Sequence, residues 1–164
     1  MDWLAKYNIP HHISAKQATV GRSGALLERY NIETNQKGIN ASQEVKMLIA
    51  KDIDKILYVV TPSDYKLNRS NIKNIDISKY GVVPYTVNPG TLYHMIIPEL
   101  IKKGKEVSIV ANPSLNTDGI FYTNHGSRLT SVAFTGKDLY NAIKTESDSL
   151  NLPFISSLEH FVTN

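Results

Sequence analysis

The chain has 164 residues, 18 basic and 15 acidic side chains, a formal charge of +3 and no cysteine, a size that usually closes around one core. Hydrophobic residues make up 41% and charged ones 20%, which excludes wholesale disorder, collagen-like repeats and a coiled coil. Zero cysteines exclude a disulfide framework, thiolate zinc sites, iron–sulfur clusters and a cysteine nucleophile.

In chain order, the N-terminal MDWLAKYNIPHHIS lacks the basic start and apolar core of a signal peptide. No apolar run approaches the roughly 20 residues of a membrane span. A soluble, cytoplasmic protein with no membrane partner is the expectation. Ser14 can cap a helix from Ala15 towards Tyr30, interrupted by Gly21 and Gly24. Asn40 can cap a second, over 41–52, on which Val45, Leu48 and Ile49 share a face.

KILYVV, 55–60, predicts a buried strand. Residues 61–79 read as a polar, basic loop, and VVPYTV, 82–87, as a strand at an edge or bulge because Pro84 cannot donate to a ladder. A helix opens at Asn88-Pro89-Gly90-Thr91, with Pro98 as a kink and Gly104 just beyond its end. EVSIVAN, 106–112, is a strand. GIFYTNH, 119–125, and RLTSVAF, 128–134, form a hairpin. Gly136 to Leu150 is helix, and 154–161 a short closing helix. This order favours α+β. It implies one domain over 1–164, with a mixed sheet of about five strands, helices from the N-terminal third, a central crossover helix and C-terminal helices.

The charge surplus is uneven. Residues 51–110 carry nine basic and six acidic side chains, and residues 111–164 three and five. The excess lies in Lys66, Arg69, Lys73 and Lys79, then in Lys102, Lys103 and Lys105. A basic middle steers polyanions, although short lysine clusters also simply solvate loops and helix ends. Tyr65, beside Lys66 and Arg69, is expected to be exposed and able to stack on a base. Most other tyrosines fall on strands or amphipathic helices, where the ring is buried.

The hairpin turn Thr123-Asn124-His125-Gly126-Ser127-Arg128 carries an imidazole, an amide, a hydroxyl and a guanidinium within six residues. Histidine can act as a general acid or base, and arginine can grip phosphate through two parallel hydrogen bonds. Asn, Gly and Ser are equally what a turn requires. Gly21-Arg22-Ser23-Gly24 can cradle an anion ahead of ALLERY, without the spacing or lysine of a P-loop. The histidines have no metal-ligand spacing. Only a site assembled from distant segments (His125, His160 and Asp118) could hold an ion, so neither metal nor cofactor is expected.

The leading reading is a small domain binding a phosphate-bearing ligand, either a nucleotide or a nucleic acid. Arg22, Ser23, Tyr65, Lys66, Arg69 and Asn124 would make the contacts, and His125 and Arg128 would carry any metal-independent phosphodiester chemistry. The alternative is a non-enzymatic protein-interaction module: an inhibitor, adaptor or assembly subunit. The sequence leaves the oligomeric state and the identity of the ligand open.

Overall fold

The computed structural model describes residues 3–15, 41–52, 55–68, 72–75, 96–124, 130–156 and 162–163. The first elements are α1 (Trp3–Lys6), β1 (His12–Ala15), the 3-10 turn η1 (Ala41–Gln43), β2 (Val45–Asp52) and β3 (Lys55–Pro62). β4 (Lys66–Leu67), β5 (Lys73–Asn74), α2 (Ile97–Lys102) and β6 (Glu106–Ala111) follow. Then come η2 (Pro113–Leu115), β7 (Ile120–Asn124), β8 (Thr130–Thr135), α3 (Gly136–Ser149), β9 (Phe154–Ile155) and β10 (Val162–Thr163). The chain is mixed α+β.

Two sheets carry it, a five-stranded one in the order β5-β2-β3-β6-β9 and a three-stranded one in the order β1-β8-β7. β4 pairs separately with β10. The larger sheet is mixed: β2 runs antiparallel to β3 and β5, while β3–β6 and β6–β9 are parallel. Parallel neighbours need a crossover between them. α2 lies between β3 and β6 in the chain, and α3 between β6 and β9.

β3 is buried at every position except Lys55. Such a run suits a central strand covered on both faces. Ile56, Tyr58 and Val60 join Val107 and Ile109 in the larger core, with Ile97 and Leu100 from α2 and Leu139 and Ile143 from α3. Leu57 and Val59 face the other way, into a smaller cluster with Ala50, Leu67, Ile72 and Val110. Each fully buried aliphatic side chain contributes about 1.5–3 kcal/mol relative to exposure. α1 is tied down at two points: Trp3 meets the Phe134 ring edge-on at 5.6 Å, and Lys6 and Tyr7 donate to the buried carboxylate of Glu146 on α3.

Several expectations hold. The strands at 55–60 and 106–112, the hairpin and the helix from Gly136 are all present. Gly104 has φ +74°, and the amides of Gly104 and Lys105 donate to Ile101 and Leu100, a Schellman closure that needs a left-handed residue. Pro98 stands in the first turn of the described part of α2, where a missing N–H is tolerated.

Other expectations fail. The stretch expected as a loop over 61–79 carries the end of β3 and the short strands β4 and β5. The helix expected over 41–52 is a single 3-10 turn followed by the eight-residue strand β2. Val45, Leu48 and Ile49 have helical spacing, but they sit on a strand covered on both faces, and eight registered pairs with β3 outweigh local pattern. The closing helix expected over 154–161 does not begin at Phe154, which is in a strand with Ile155; residues 157–161 lie outside the described residues. Phe154 and Ile155 run beside β6, where the Ile109 amide donates to the Pro153 carbonyl at 2.8 Å, and Val162 and Thr163 pair with β4. The hairpin, moreover, belongs with β1 in its own sheet rather than extending the mixed one. The helix expected from Ala15 to Tyr30, the strand at 82–87 and the start of the helix at Thr91 lie outside the described residues.

Candidate functional site

Because β2 is antiparallel to β3 while β6 is parallel to it, the start of β2 and the ends of β3 and β6 meet at one end of the large sheet. The carboxyl ends of parallel strands are where α/β sheets commonly place ligands. Here that end is polar. Lys46 lies directly opposite Thr61 in the β2–β3 register. Its Nζ donates to the Ser63 carbonyl at 3.3 Å, which holds the ammonium over the strand ends.

Beneath the lysine lies a satisfied polar pair. Thr61 and Asn112 are both fully buried. Asn112 Nδ2 donates to Thr61 Oγ1 at 3.0 Å, and the Thr61 hydroxyl donates to the Pro62 carbonyl at 3.2 Å. The Asn112 amide donates to Val60 at 2.9 Å, and its Oδ1 accepts from the Ser114 amide at 2.9 Å, which caps η2. Buried polar groups satisfied in this way rigidify their surroundings. Thr61 and Asn112 therefore act as positioning residues that lock the ends of β3 and β6 together.

The turn after β3 closes over this end. The Ser63 amide donates to the Glu44 carbonyl at 2.7 Å, and the Tyr65 amide to Pro62 at 3.1 Å. Asp64 is half-buried, and its Oδ1 is shielded from solvent with no hydrogen-bond partner among the described residues. β7 also arrives here. Tyr122 bridges Glu44, and Thr123 Oγ1 donates to the Val45 carbonyl at 3.4 Å.

The residues expected from sequence divide as follows. Asn124 ends β7 opposite Ser131, two residues beyond the Glu44 bridge, and so lies at this end of the sheet. Tyr65 lies in the adjoining turn, half-buried against the smaller core cluster rather than exposed, because that cluster needs a cover over Leu57 and Val59. Lys66 is exposed on β4, opposite Thr163, while the next residue, Leu67, points inward. The hairpin's Asn124 and the Tyr65–Lys66 turn are thus joined through Glu44 and Ser63. Arg22, Ser23, Arg69, His125 and Arg128 lie outside the described residues, as does His160. Asp118 is exposed in the loop before β7. Among the described residues no three His, Asp or Glu side chains cluster in a way that could hold a metal, and no helix is long and apolar enough to cross a membrane. Sequence reading missed Lys46, Thr61, Asp64 and Asn112.

No family model matches the chain, and no curated protein matches it significantly. Solved structures do share its fold. A hypothetical protein, APE2540, superposes with a TM-score of 0.62 at 14% identity, over 98% of this chain and 97% of the other. A structure described as that of a "putative trans-editing enzyme for prolyl tRNA synthetase" gives 0.58 at 8% identity, over 98% and 92%. A scaffold from work on epitope backbone grafting by computational design gives 0.59 at 9%, over 99% and 94%. At these identities the likeness is one of fold.

Proposed function

We propose that the chain binds the aminoacylated end of a tRNA and hydrolyses the ester that links amino acid to terminal ribose. This keeps the phosphate-bearing ligand expected from the basic central third, and it replaces phosphodiester cleavage with acyl-ester cleavage. The observation that carries the reading is Lys46, an ammonium tethered over the carboxyl ends of β3 and β6, in a fold shared over nearly the whole chain with the structure described as a "putative trans-editing enzyme".

The chemistry suits the setting. Hydrolysis adds water across the ester and yields a free amino acid and a ribose hydroxyl. Its barrier lies in the charge that develops on the carbonyl oxygen, which a preorganised cation or donor stabilises. Lys46 supplies that charge, and the Thr61–Asn112 pair keeps the strand ends from yielding when it does. Lys66, exposed on β4 just past the adjoining turn, would attract the phosphates of the terminal nucleotides, and the half-buried Tyr65 beside it would offer them only the exposed part of its ring. A chelator is expected to leave the rate unchanged.

The test is release of labelled amino acid from a panel of aminoacyl-tRNAs, correctly charged and mischarged. Deacylation of at least one mischarged tRNA well above its spontaneous rate is expected. Lys46→Ala should lower that rate by about 10²–10³, the usual cost of removing one oxyanion donor. If no tRNA in the panel is deacylated faster than in buffer, or if Lys46→Ala retains the full rate, the reading is wrong.

A further inference from the structure

At the opposite end of the same sheet, β2, β5 and the α2–β6 turn gather three lysines. Lys51 and Lys73 are direct register partners on β2 and β5, so their side chains leave the same face of the sheet. Lys105 follows the left-handed Gly104. It shares with Lys51 the lining of an open cleft of about 450 Å³, completed by Ile56, Ile75, Gly104 and Glu106. All three lysines are exposed.

Among the described residues, the charge of this cleft is not balanced from within. The ion pairs among the described residues engage Lys6, Lys55 and Lys103, and none engages Lys51, Lys73 or Lys105. Glu106, the one carboxylate in the lining among the described residues, faces the Lys55 ammonium at 3.9 Å and is already shared. Like charges directly opposite on paired strands are destabilising. A fold that holds Lys51 against Lys73, with Lys105 beside them, keeps a positive field that an external anion can offset. Ile56 and Ile75 give the cleft an apolar floor along which lysine stems can lie while their ammonium groups stay in water.

We propose that this cleft is a phosphate-backbone anchor for RNA, separate from the Lys46 end. The assignment of RNA as the polyanion rests on the proposed function. Thr61 lies six residue steps along β3 from Lys55, about 20 Å at the usual rise, so one mononucleotide cannot reach both ends. A polynucleotide, with a phosphate about every 3.4 Å along a duplex strand, can. The lining presents ammonium groups and aliphatic walls, which grip a backbone without reading its bases.

The experiment uses the full chain and uncharged tRNA, with affinity measured by fluorescence anisotropy between 50 and 200 mM KCl. The wild type is compared with the triple variant Lys51→Ala, Lys73→Ala, Lys105→Ala, and thermal melting establishes that both are folded. The slope of log affinity against log salt should flatten by about 2–3 in the triple variant, near 0.7–0.9 for each phosphate no longer neutralised. An unchanged slope, or no binding of tRNA by the wild type, overturns the proposal. Inorganic phosphate binding as tightly as tRNA would make this a small-anion site, and an equal, lysine-dependent affinity for polyglutamate would make it a site for acidic protein. Either result overturns the RNA assignment. Because the tRNA is uncharged, turnover is not needed: lysine-dependent binding without deacylation refutes only the hydrolase, and deacylation with an unchanged slope refutes only the anchor.

Discussion

The two ends of the five-stranded sheet are built on opposite principles. At the Lys46 end Thr61 and Asn112 are buried and satisfied by their neighbours, and the lysine is tethered: Asn112 donates to Thr61, Thr61 to Pro62, and Lys46 to Ser63. At the Lys51 end three exposed ammonium groups stand together without an ion pair among the described residues. The first arrangement fixes positions, which chemistry on a reacting atom requires. The second supplies a field, which raises affinity and encounter rate and tolerates imprecision. One strand, β2, joins them, with Lys46 near its start and Lys51 near its end.

The largest separation between the ends is expected from Lys46→Met. If the polar end does chemistry and the basic end does binding, deacylation should fall by about 10²–10³, or roughly 3–4 kcal/mol of barrier, while the affinity for uncharged tRNA moves less than threefold. Single-turnover deacylation and anisotropy on the same protein check both halves. A parallel loss of the two would erase the distinction. Gly136→Ala, next in size, should spare neither end. A Cβ at Gly136 would sit 2.2 Å from the Leu115 carbonyl oxygen and 2.5 Å from the Phe121 ring, so α3 must shift against η2 and β7. Overpacking of this kind costs about 1–3 kcal/mol. The denaturation midpoint should drop, with activity and tRNA affinity falling together only near that midpoint.

How much of this was legible in the sequence follows from the range of the contacts involved. KILYVV, the hairpin, the helix from Gly136 and the turn at Gly104 are set by residues close in the chain, and their patterns could be read directly. β2 could not. Val45, Leu48 and Ile49 serve two faces of a strand, yet their spacing is also that of a helix face. The polar end is further out of reach. Thr61 and Asn112 are 51 positions apart, and only parallel pairing of β3 with β6 makes them neighbours. Nothing local distinguishes Lys46 from other lysines until its strand is paired. The uneven charge, by contrast, was visible, because Lys73 and Lys105 belong to the basic middle. Their meeting with Lys51 was not, since it depends on the β2–β5 register. Of the residues expected to make contacts, Asn124 and Tyr65 fall at the polar end, and Tyr65 is half-buried there rather than exposed.

Asn112→Ala probes the polar end more gently than Lys46→Met. It removes the donor to Thr61 and the cap on the Ser114 amide, and it leaves the buried Thr61 hydroxyl short of a partner. The expected cost is about 1–3 kcal/mol of stability, read as a lowered midpoint in urea. The rate should fall with KM nearly unchanged, because the residue acts through the strand end and not by touching RNA. A variant as stable and as fast as wild type would show that the polar end is not held by this pair.

The smallest effect is the most diagnostic of the other end. Lys73→Glu converts a like-charge cross-strand pair into an opposite-charge one with Lys51. Cross-strand charge pairs are worth about 0.2–1 kcal/mol, and solvent screening at an exposed site holds the gain to a few tenths. The midpoint should therefore rise slightly, and more at 50 mM than at 500 mM KCl, while tRNA affinity falls. Stability and binding would then move in opposite directions from one substitution. That is the signature of a repulsion kept for a ligand, and a lysine that merely solvates a strand edge would not produce it. If Lys73→Glu stabilises the fold and leaves tRNA affinity and its salt slope as they were, the lysines at this end are surface charge and nothing more.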